Sequence, residues 1–585
     1  MPNESVGQYG GDWNSATVGG GSLTMLVRYQ GYEPLVRWNE DFTGVVPNVA
    51  ESVEANEDAT EYTVKLREGM KWSDGEPFTA DDIMFWYEDV FGNPDLPTDS
   101  GQAFMMVGGE PGKVEKIDDT TLKFIFPAPH GLFPQQLAWG SNDITTRFPR
   151  HYLEQFHIKY NPDELEALAA EQGIDGWVAL FLKMSGAASN EEYFKSSEIP
   201  VLHPWAFEIA PGESTTQAVA VRNPYYWKVD TEGNQLPYID RIVYSLVQDT
   251  EVLLLKTMQG EIDLMDQYIA TPTNKSVLYE NQERGGYRFY GLNPVEVNEM
   301  VIQLNLNHPD AAKRELFQNK DFRIALSHGF DRQALNEAVF VGQGEIGQAA
   351  VYPGTSLYNE RLAKQFTEYD PDKANAMLDE ILPEKDSEGY RLLPDGERLT
   401  IIFEIDQARP TFIDMFEIIL PQWQQLGIDA QIRTMDRSLW EERVRSGINF
   451  DATAHKFGGG QGQALFLDPR YFVPVNENSM FAKGWQLHYN NPDAAEAVEP
   501  PAPVKEAQAL YDEIVKTADV EKQGELMAQM LELAADNFYH IGTIFPVLSY
   551  GVVSSDFRNV PAEMPMAWGY PNPAPTNPEQ YWQVQ

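Results

Sequence analysis

An α/β fold built from more than one domain is predicted by three features of this 585-residue chain. The length exceeds what one compact core organises, which points to two or three domains. Up to about residue 270 the chain reads as short alternating strands separated by turn residues, with a helical insert at 161–195. Beyond it, strands and helices take turns with short connections, the pattern of a parallel sheet covered by helices.

The sharpest local instructions lie in Glu61–Val90. Tyr62, Val64 and Leu66 alternate with Thr63, Lys65 and Arg67, the two-residue period of a strand with one buried face. Glu68-Gly69 and Ser73-Asp74-Gly75 supply turns around Met70 and Trp72, so a short second strand is expected to return along the first. Thr79 then caps a helix whose first turn carries Asp81 and Asp82 and whose apolar face is Ile83, Trp86, Tyr87 and Val90. The carboxylates of Asp74, Asp81 and Asp82 thus have turn and capping uses, not catalytic ones. Val114–Phe124 reads as a hairpin turning at Asp118-Asp119, and Pro162–Gln172 and Gly176–Lys183 as helices. Strand Leu399–Glu404, helix Phe412–Leu426, strand Ile428–Thr434, helix Ser438–Ser446 and strand Phe450–His455 form the α/β run. Helices at 505–518 and 520–536, a strand-like Ile544–Val553 and a Pro-rich tail complete the chain.

Composition removes several functions. There is no cysteine, which excludes disulfides, thiolate nucleophiles and zinc–thiolate sites. With 43 Lys and Arg against 89 Asp and Glu, the net charge of −46 repels nucleic acids and anionic membranes and forms a solvated acidic coat suited to salty surroundings. The 9 histidines show no His-x-x-x-His or His-Glu-x-x-His spacing, so no metal and no cofactor is expected. Gly458-Gly459-Gly460-Gln461-Gly462 lacks the Lys and Ser of a phosphate loop, and no Gly-x-Ser-x-Gly elbow occurs. The start, Met1-Pro2-Asn3-Glu4, lacks the basic and apolar segments of a signal peptide, and no window approaches the ~18 apolar residues of a membrane span.

The run from Leu66 to Ile83, Leu-Arg-Glu-Gly-Met-Lys-Trp-Ser-Asp-Gly-Glu-Pro-Phe-Thr-Ala-Asp-Asp-Ile, resembles the signature of the extracytoplasmic solute-binding proteins of ABC importers, in the family 5 group of dipeptide-, oligopeptide-, nickel- and oligosaccharide-binding members. Val64 stands where that family commonly has Phe. Further likenesses follow in order: Tyr32-Glu33-Pro34-Leu35-Val36, Pro47-Asn48-Val49-Ala50-Glu51-Ser52, Arg222-Asn223-Pro224-Tyr225-Tyr226-Trp227, Gly260-Glu261-Ile262-Asp263, Phe322–Arg332 and Tyr369–Ala374. One departure is Ile199–Trp205, where the family usually has Gly-Thr-Gly-Pro-Tyr. The resemblance implies a two-lobed periplasmic-binding-protein-like fold of the large type. Its N-terminal lobe spans residues 1–270 with a β-rich subdomain at about 40–200; the C-terminal α/β lobe spans 271–543; and residues 544–585 return to the first lobe. It also implies an exported monomer, periplasmic or otherwise extracytoplasmic, that holds a small-molecule ligand in an interlobe cleft and passes it to permease subunits without catalysis.

Within that frame the glycine run would let a ligand approach the main chain of the second lobe, with His455, Lys456, Phe457, Gly459, Gln461 and Gln463 beside it. Peptide-binding relatives usually carry an acid shortly after this strand to pair with the ligand's α-amino group. Here Gly and Gln stand there, and the next acid is Asp468. Thirteen Trp and 27 Tyr favour stacking on sugar faces, although most aromatics must be core. Trp139, Trp205 and Trp568, in irregular segments beside Gly or Pro, are the candidate stacking rings. A neutral oligosaccharide is therefore the expected ligand, an oligopeptide the alternative within the class. Since a glycosidase's paired carboxylates leave no local pattern, a secreted glycoside hydrolase is the alternative of another class.

Overall fold

The computed structural model describes residues 5–18, 28–97, 104–139, 143–187, 190–214, 216–456, 458–460, 462–567 and 569–584. The chain forms two compact units, one from Met1–Asn293 with Leu548–Gln585, the other from Pro294–Val547. Helix Pro272–Gly285 and most of strand Tyr287–Pro294, read from sequence as the start of the C-terminal lobe, fall in the first unit. The reason is pairing: Tyr287–Leu292 runs antiparallel to Ser554–Ser549, which also pairs with Leu264–Met265.

In the first unit, strand Asp12–Val18 lies parallel to Arg241–Val247, followed across the sheet by antiparallel Gln217–Arg222 and Trp205–Ile209. A second, antiparallel sheet orders Ala50–Ala55, Glu61–Leu66, Thr121–Ile125 and Lys113–Lys116. Strand Glu61–Leu66 buries Tyr62, Val64 and Leu66 as its alternation requires. Its partners, however, are these flanking strands and not Met70–Trp72. The latter segment closes on itself instead: Trp72 N–H donates to Glu76 O at 2.8 Å and Phe78 N–H to Met70 O at 2.9 Å, leaving only the bridge Lys71–Pro77.

Thr79 caps helix Ala80–Phe85 with a reciprocal capping box, its hydroxyl taking first-turn N–H groups while Asp82 Oδ2 accepts from Thr79 N at 2.9 Å. The helix runs on as a wider π-turn, Trp86–Phe91, burying Ile83, Trp86 and Val90. Asp74 and Asp81 are committed to His151 at 2.7 Å and Lys116 at 2.9 Å.

The two family-like motifs at Tyr32–Arg37 and Arg222–Trp227 meet in a buried charge cluster that pins the C-terminal return. Lys228 Nζ donates to Glu33 Oε1 at 3.0 Å and to Glu579 Oε1 at 3.1 Å. Tyr226 OH donates to Glu33 Oε1 at 2.6 Å, and Arg37 reaches Glu579 at 3.8 Å, Asn577 at 2.9 Å and the Ala574 carbonyl. Two carboxylates face two cations, so the cluster is neutral as well as buried, the condition under which interior charge is tolerated.

The second unit carries a four-stranded sheet in the order Val301–Leu304, Ala452–His455, Thr400–Asp406, Asp429–Met435. The last three are parallel, as the α/β alternation predicts, but Val301–Leu304 joins the edge antiparallel to Ala452–His455, making the sheet mixed. Helix Pro410–Gln425 buries Phe412, Met415, Phe416, Ile419 and Trp423 against Ile401, Phe403 and Ile405. Helices Ala502–Lys516 and Val520–Asn537 pack as an adjacent pair.

Three of the buried histidines, His130, His203 and His540, make acid-sensitive contributions to stability. Burial holds His130 down to about 4, and His203 and His540 each to about 3, the latter two with added repulsion from Arg147 and Arg323. Each therefore contributes stability that is fully present above the unfolded value of 6.5 and lost as pH falls toward the folded value. Asp82 and Asp263, raised to about 6 by burial, act in the opposite sense, binding protons in the folded state first as pH falls below 6. Each of these histidines is expected to cost about 2 kcal/mol of unfolding free energy between about pH 6.5 and 4.5, read as the pH profile of the difference in urea stability between wild type and its His→Gln variant. A flat profile across that window would contradict the assignment of these imidazoles as neutral.

Candidate ligand-binding site

In open α/β sheets, ligands are met at the carboxyl ends of the parallel strands. In the second unit those ends are Asp406, Met435 and His455, and the chain continues from them into Arg409, Arg437 and Lys456. The antiparallel edge strand enters from the same end, bringing Glu296 and Glu299.

Lys456 Nζ binds Glu299 Oε2 at 2.7 Å, and Glu299 Oε1 accepts from Val547 N at 2.9 Å. Burial opposes the Lys456 charge, yet Glu299 and Glu296 outweigh it and raise the ammonium above its ordinary value, so it stays protonated. Glu296 is pushed up by burial, with Lys456 acting against the shift. Arg437 pairs with Asp406 at 3.1 Å and lies 4.8 Å over the Trp440 ring. Arg443 closes a two-point contact on Glu404 at 2.6 and 2.9 Å. Of this charged ring the sequence singles out only Lys456, because the other members come from separated segments that only the sheet brings together.

His455 is 5% exposed and stacks on Trp440 at 5.4 Å with the rings 7° apart. Burial and the surrounding arginines keep it neutral. It is a packing residue at the strand end, not the ligand-facing side chain expected. The glycine run likewise has a use within the protein. Gly459 bridges to Glu296, and Gly460 N–H donates to Val295 O at 2.6 Å. A Cβ on Gly460 would lie 2.3 Å from the carbonyls of Val295 and Glu296, so backbone meets backbone there. Gln463 is buried, its carbonyl accepting from Phe466 and Leu467 at 3.2 and 3.3 Å. Asp468 is committed to Arg470 and to Asn476 Nδ2 at 3.2 Å. Phe457 and Gln461 lie outside the described residues.

In the first unit, Trp205 is fully buried. It opens strand Trp205–Ile209, donates from Nε1 to Ile239 O at 3.0 Å and meets Trp13 edge-on at 6.2 Å. It is a core residue, which corrects the expectation that it stacks on a ligand; His203-Pro204 looked like a loop because the strand begins only after it. Trp139 is half-buried, and its ring covers Gly569, where a Cβ would come within 2.4 Å. Trp568 lies outside the described residues. Among the described residues, no group of three or more His, Asp or Glu is placed to hold a metal, and no helix is long and apolar enough to cross a membrane.

Comparison with known proteins adds three likenesses. The chain is 27% identical over 592 residues to the periplasmic alpha-galactoside-binding protein of Rhizobium meliloti, covering 96% of this chain and 77% of that protein. Among solved structures, an oligopeptide-binding protein OppA superposes with a TM-score of 0.80 at 34% identity, covering 100% of this chain and 92% of that one. The periplasmic binding protein MelB of Agrobacterium fabrum, in complex with stachyose, shares the two-lobed fold with a TM-score of 0.72 at 23% identity, covering 100% and 86% of the two chains. The model of the bacterial extracellular solute-binding proteins, family 5, matches residues 44–473, well over half of the sequence, with the signature at Leu66–Ile83 inside it. On that match, and on the one-third identity to an oligopeptide-binding member, the chain belongs to the bacterial extracellular solute-binding proteins of family 5.

Proposed function

We propose that the protein is the receptor of an ABC import system, capturing a neutral oligosaccharide of the α-galactoside kind outside the cytoplasm and delivering it intact, as a monomer, to permease subunits. Family membership supports the receptor role, and the alpha-galactoside-binding relative, matched along 96% of this chain, supports the sugar. The observation that carries the choice of ligand is the lack of a free acid directly after strand Ala452–His455 to meet a peptide's ammonium group. After strand Ala452–His455 the sequence offers glycine and glutamine, and the first acid, Asp468, is already paired with Arg470 and Asn476. In this reading Trp139 and Trp568 are the rings that stack on the sugar. The main chain at Gly459, with Lys456, Phe457 and Gln461, supplies further contacts in the same reading.

The second reading, an oligopeptide receptor, is favoured by the 34% identity to an oligopeptide-binding protein. A hydrolase is separated from either receptor by the fate of the sugar. Labelled stachyose incubated with the protein, passed through a desalting column and released by heat is expected to return uncleaved in the protein fraction. Shorter sugars with new reducing ends would contradict the receptor role.

A further inference from the structure

Buried polar groups normally find partners, so a cluster that does not calls for an explanation. In the first unit Asp266, Asn572 and Tyr290 are 4%, 0% and 2% exposed. Asp266 Oδ2 accepts from Asn572 Nδ2 at 2.6 Å, while Arg28 Nη1 faces the same carboxylate at 3.8 Å, too far for a hydrogen bond. Asp266 Oδ1, Asn572 Oδ1, Arg28 Nη1 and the Tyr290 hydroxyl are all buried, and none makes a hydrogen bond among the described residues. Tyr290 and Asp266 flank the same middle strand, since Tyr290 pairs with Gly551 and Asp266 follows Met265, the partner of Val552; the tyrosine feels the charges of both Asp266 and Arg28.

The position of Tyr290 is fixed by the fold. Its cross-strand partner is Gly551, and a Cβ there would come within 2.4 Å of the Tyr290 hydroxyl oxygen, so only glycine lets the ring lie across the neighbouring strand. The other three groups are delivered by separate segments: Arg28 before the Tyr32 motif, Asp266 directly after strand Leu264–Met265, and Asn572 just ahead of the turn Ala574–Thr576.

The charges decide what fits. An ammonium group would be attracted to Asp266 but repelled by Arg28, and a carboxylate would meet the reverse. A neutral group that both donates and accepts satisfies the guanidinium, the carboxylate, the amide oxygen and the phenol together, and a sugar hydroxyl is such a group. We propose that Arg28, Asp266, Tyr290 and Asn572 form a subsite that grips adjacent hydroxyls of a neutral sugar ring; this rests on the oligosaccharide reading and assigns it a set of specificity residues. Arg28 Nη1 donates to one hydroxyl oxygen, while Asp266 Oδ1 and Asn572 Oδ1 accept hydroxyl protons. Tyr290 OH completes the ring of contacts.

The test uses the full chain with Tyr290→Phe and Asp266→Asn, titrated calorimetrically against a panel of neutral oligosaccharides including stachyose and against a pool of short peptides. Tyr290→Phe removes only a hydroxyl that has no partner in the protein, so the melting temperature without ligand should be unchanged or slightly higher. Its affinity for the bound sugar should fall about tenfold, the loss of one hydrogen bond, and that of Asp266→Asn by more. Sugar bound with equal affinity by wild type and both variants would overturn the subsite, leaving these groups to ordered water, while the oligosaccharide reading stands. Peptides bound and sugars refused by the wild type would overturn both.

Discussion

Replacing Trp205 by alanine is expected to lower the unfolding free energy by about 3–5 kcal/mol, the range for deleting a large buried aromatic. The indole is fully buried, sits among Trp13, Ile239 and Ile242 in the core of the first unit, and satisfies its one donor on Ile239 O at 3.0 Å. Truncation removes the ring and its edge-on contact with Trp13 and leaves the Ile239 carbonyl without its donor. Urea titration followed by circular dichroism would measure the loss. Ligand affinity, measured where the variant is still folded, should match wild type. A variant of wild-type stability with weakened sugar binding would return Trp205 to the ligand-facing role its irregular sequence context suggested.

The Glu579→Gln variant should cost a similar ~3–5 kcal/mol, the penalty for leaving an interior charge uncompensated. The carboxylate is buried and lies 3.1 Å from Lys228 and 3.8 Å from Arg37. With the negative charge gone, two cations face Glu33 alone. Burial opposes ionisation of Glu579, but Lys228 and Arg37 prevail and hold its carboxyl below the ordinary range, so its stabilising contribution is present above the unfolded value and lost as pH falls through the folded one. Because Glu579 sits in the segment that returns to the first unit, limited proteolysis should cut the 560–585 tail of the variant faster than that of wild type. In the pair Glu579→Gln with Lys228→Met the costs should fall short of additive, since the second change removes part of the charge stranded by the first. Full additivity would show that the two residues do not act through each other.

What could be read from the sequence was local. Thr79 and Asp82 are three positions apart, and the capping box they form depends on nothing else, so the helix start was legible. The alternation at Tyr62, Val64 and Leu66 announced a half-buried strand, but not its partners, which come from residues 50–55 and 121–125. The same limit governs the site. The strand ending at His455 was placed correctly, yet whether its ring faces a ligand or Trp440 depends on a helix that begins at Arg437. Glycine at 460 signalled a close approach; the approaching chain proved to be Val295-Glu296, more than 160 positions earlier. Arg28, Asp266 and Asn572 carry no pattern among themselves, and only the closure of the first unit by its C-terminal segment brings them together.

The choice of a neutral sugar over a peptide is tested most directly by isothermal titration of the wild-type protein against both ligand classes. Saturable heat with stachyose or a related α-galactoside, unaffected by an excess of mixed di- to pentapeptides, is the expected result. Saturable heat with peptides and none with any oligosaccharide would contradict it.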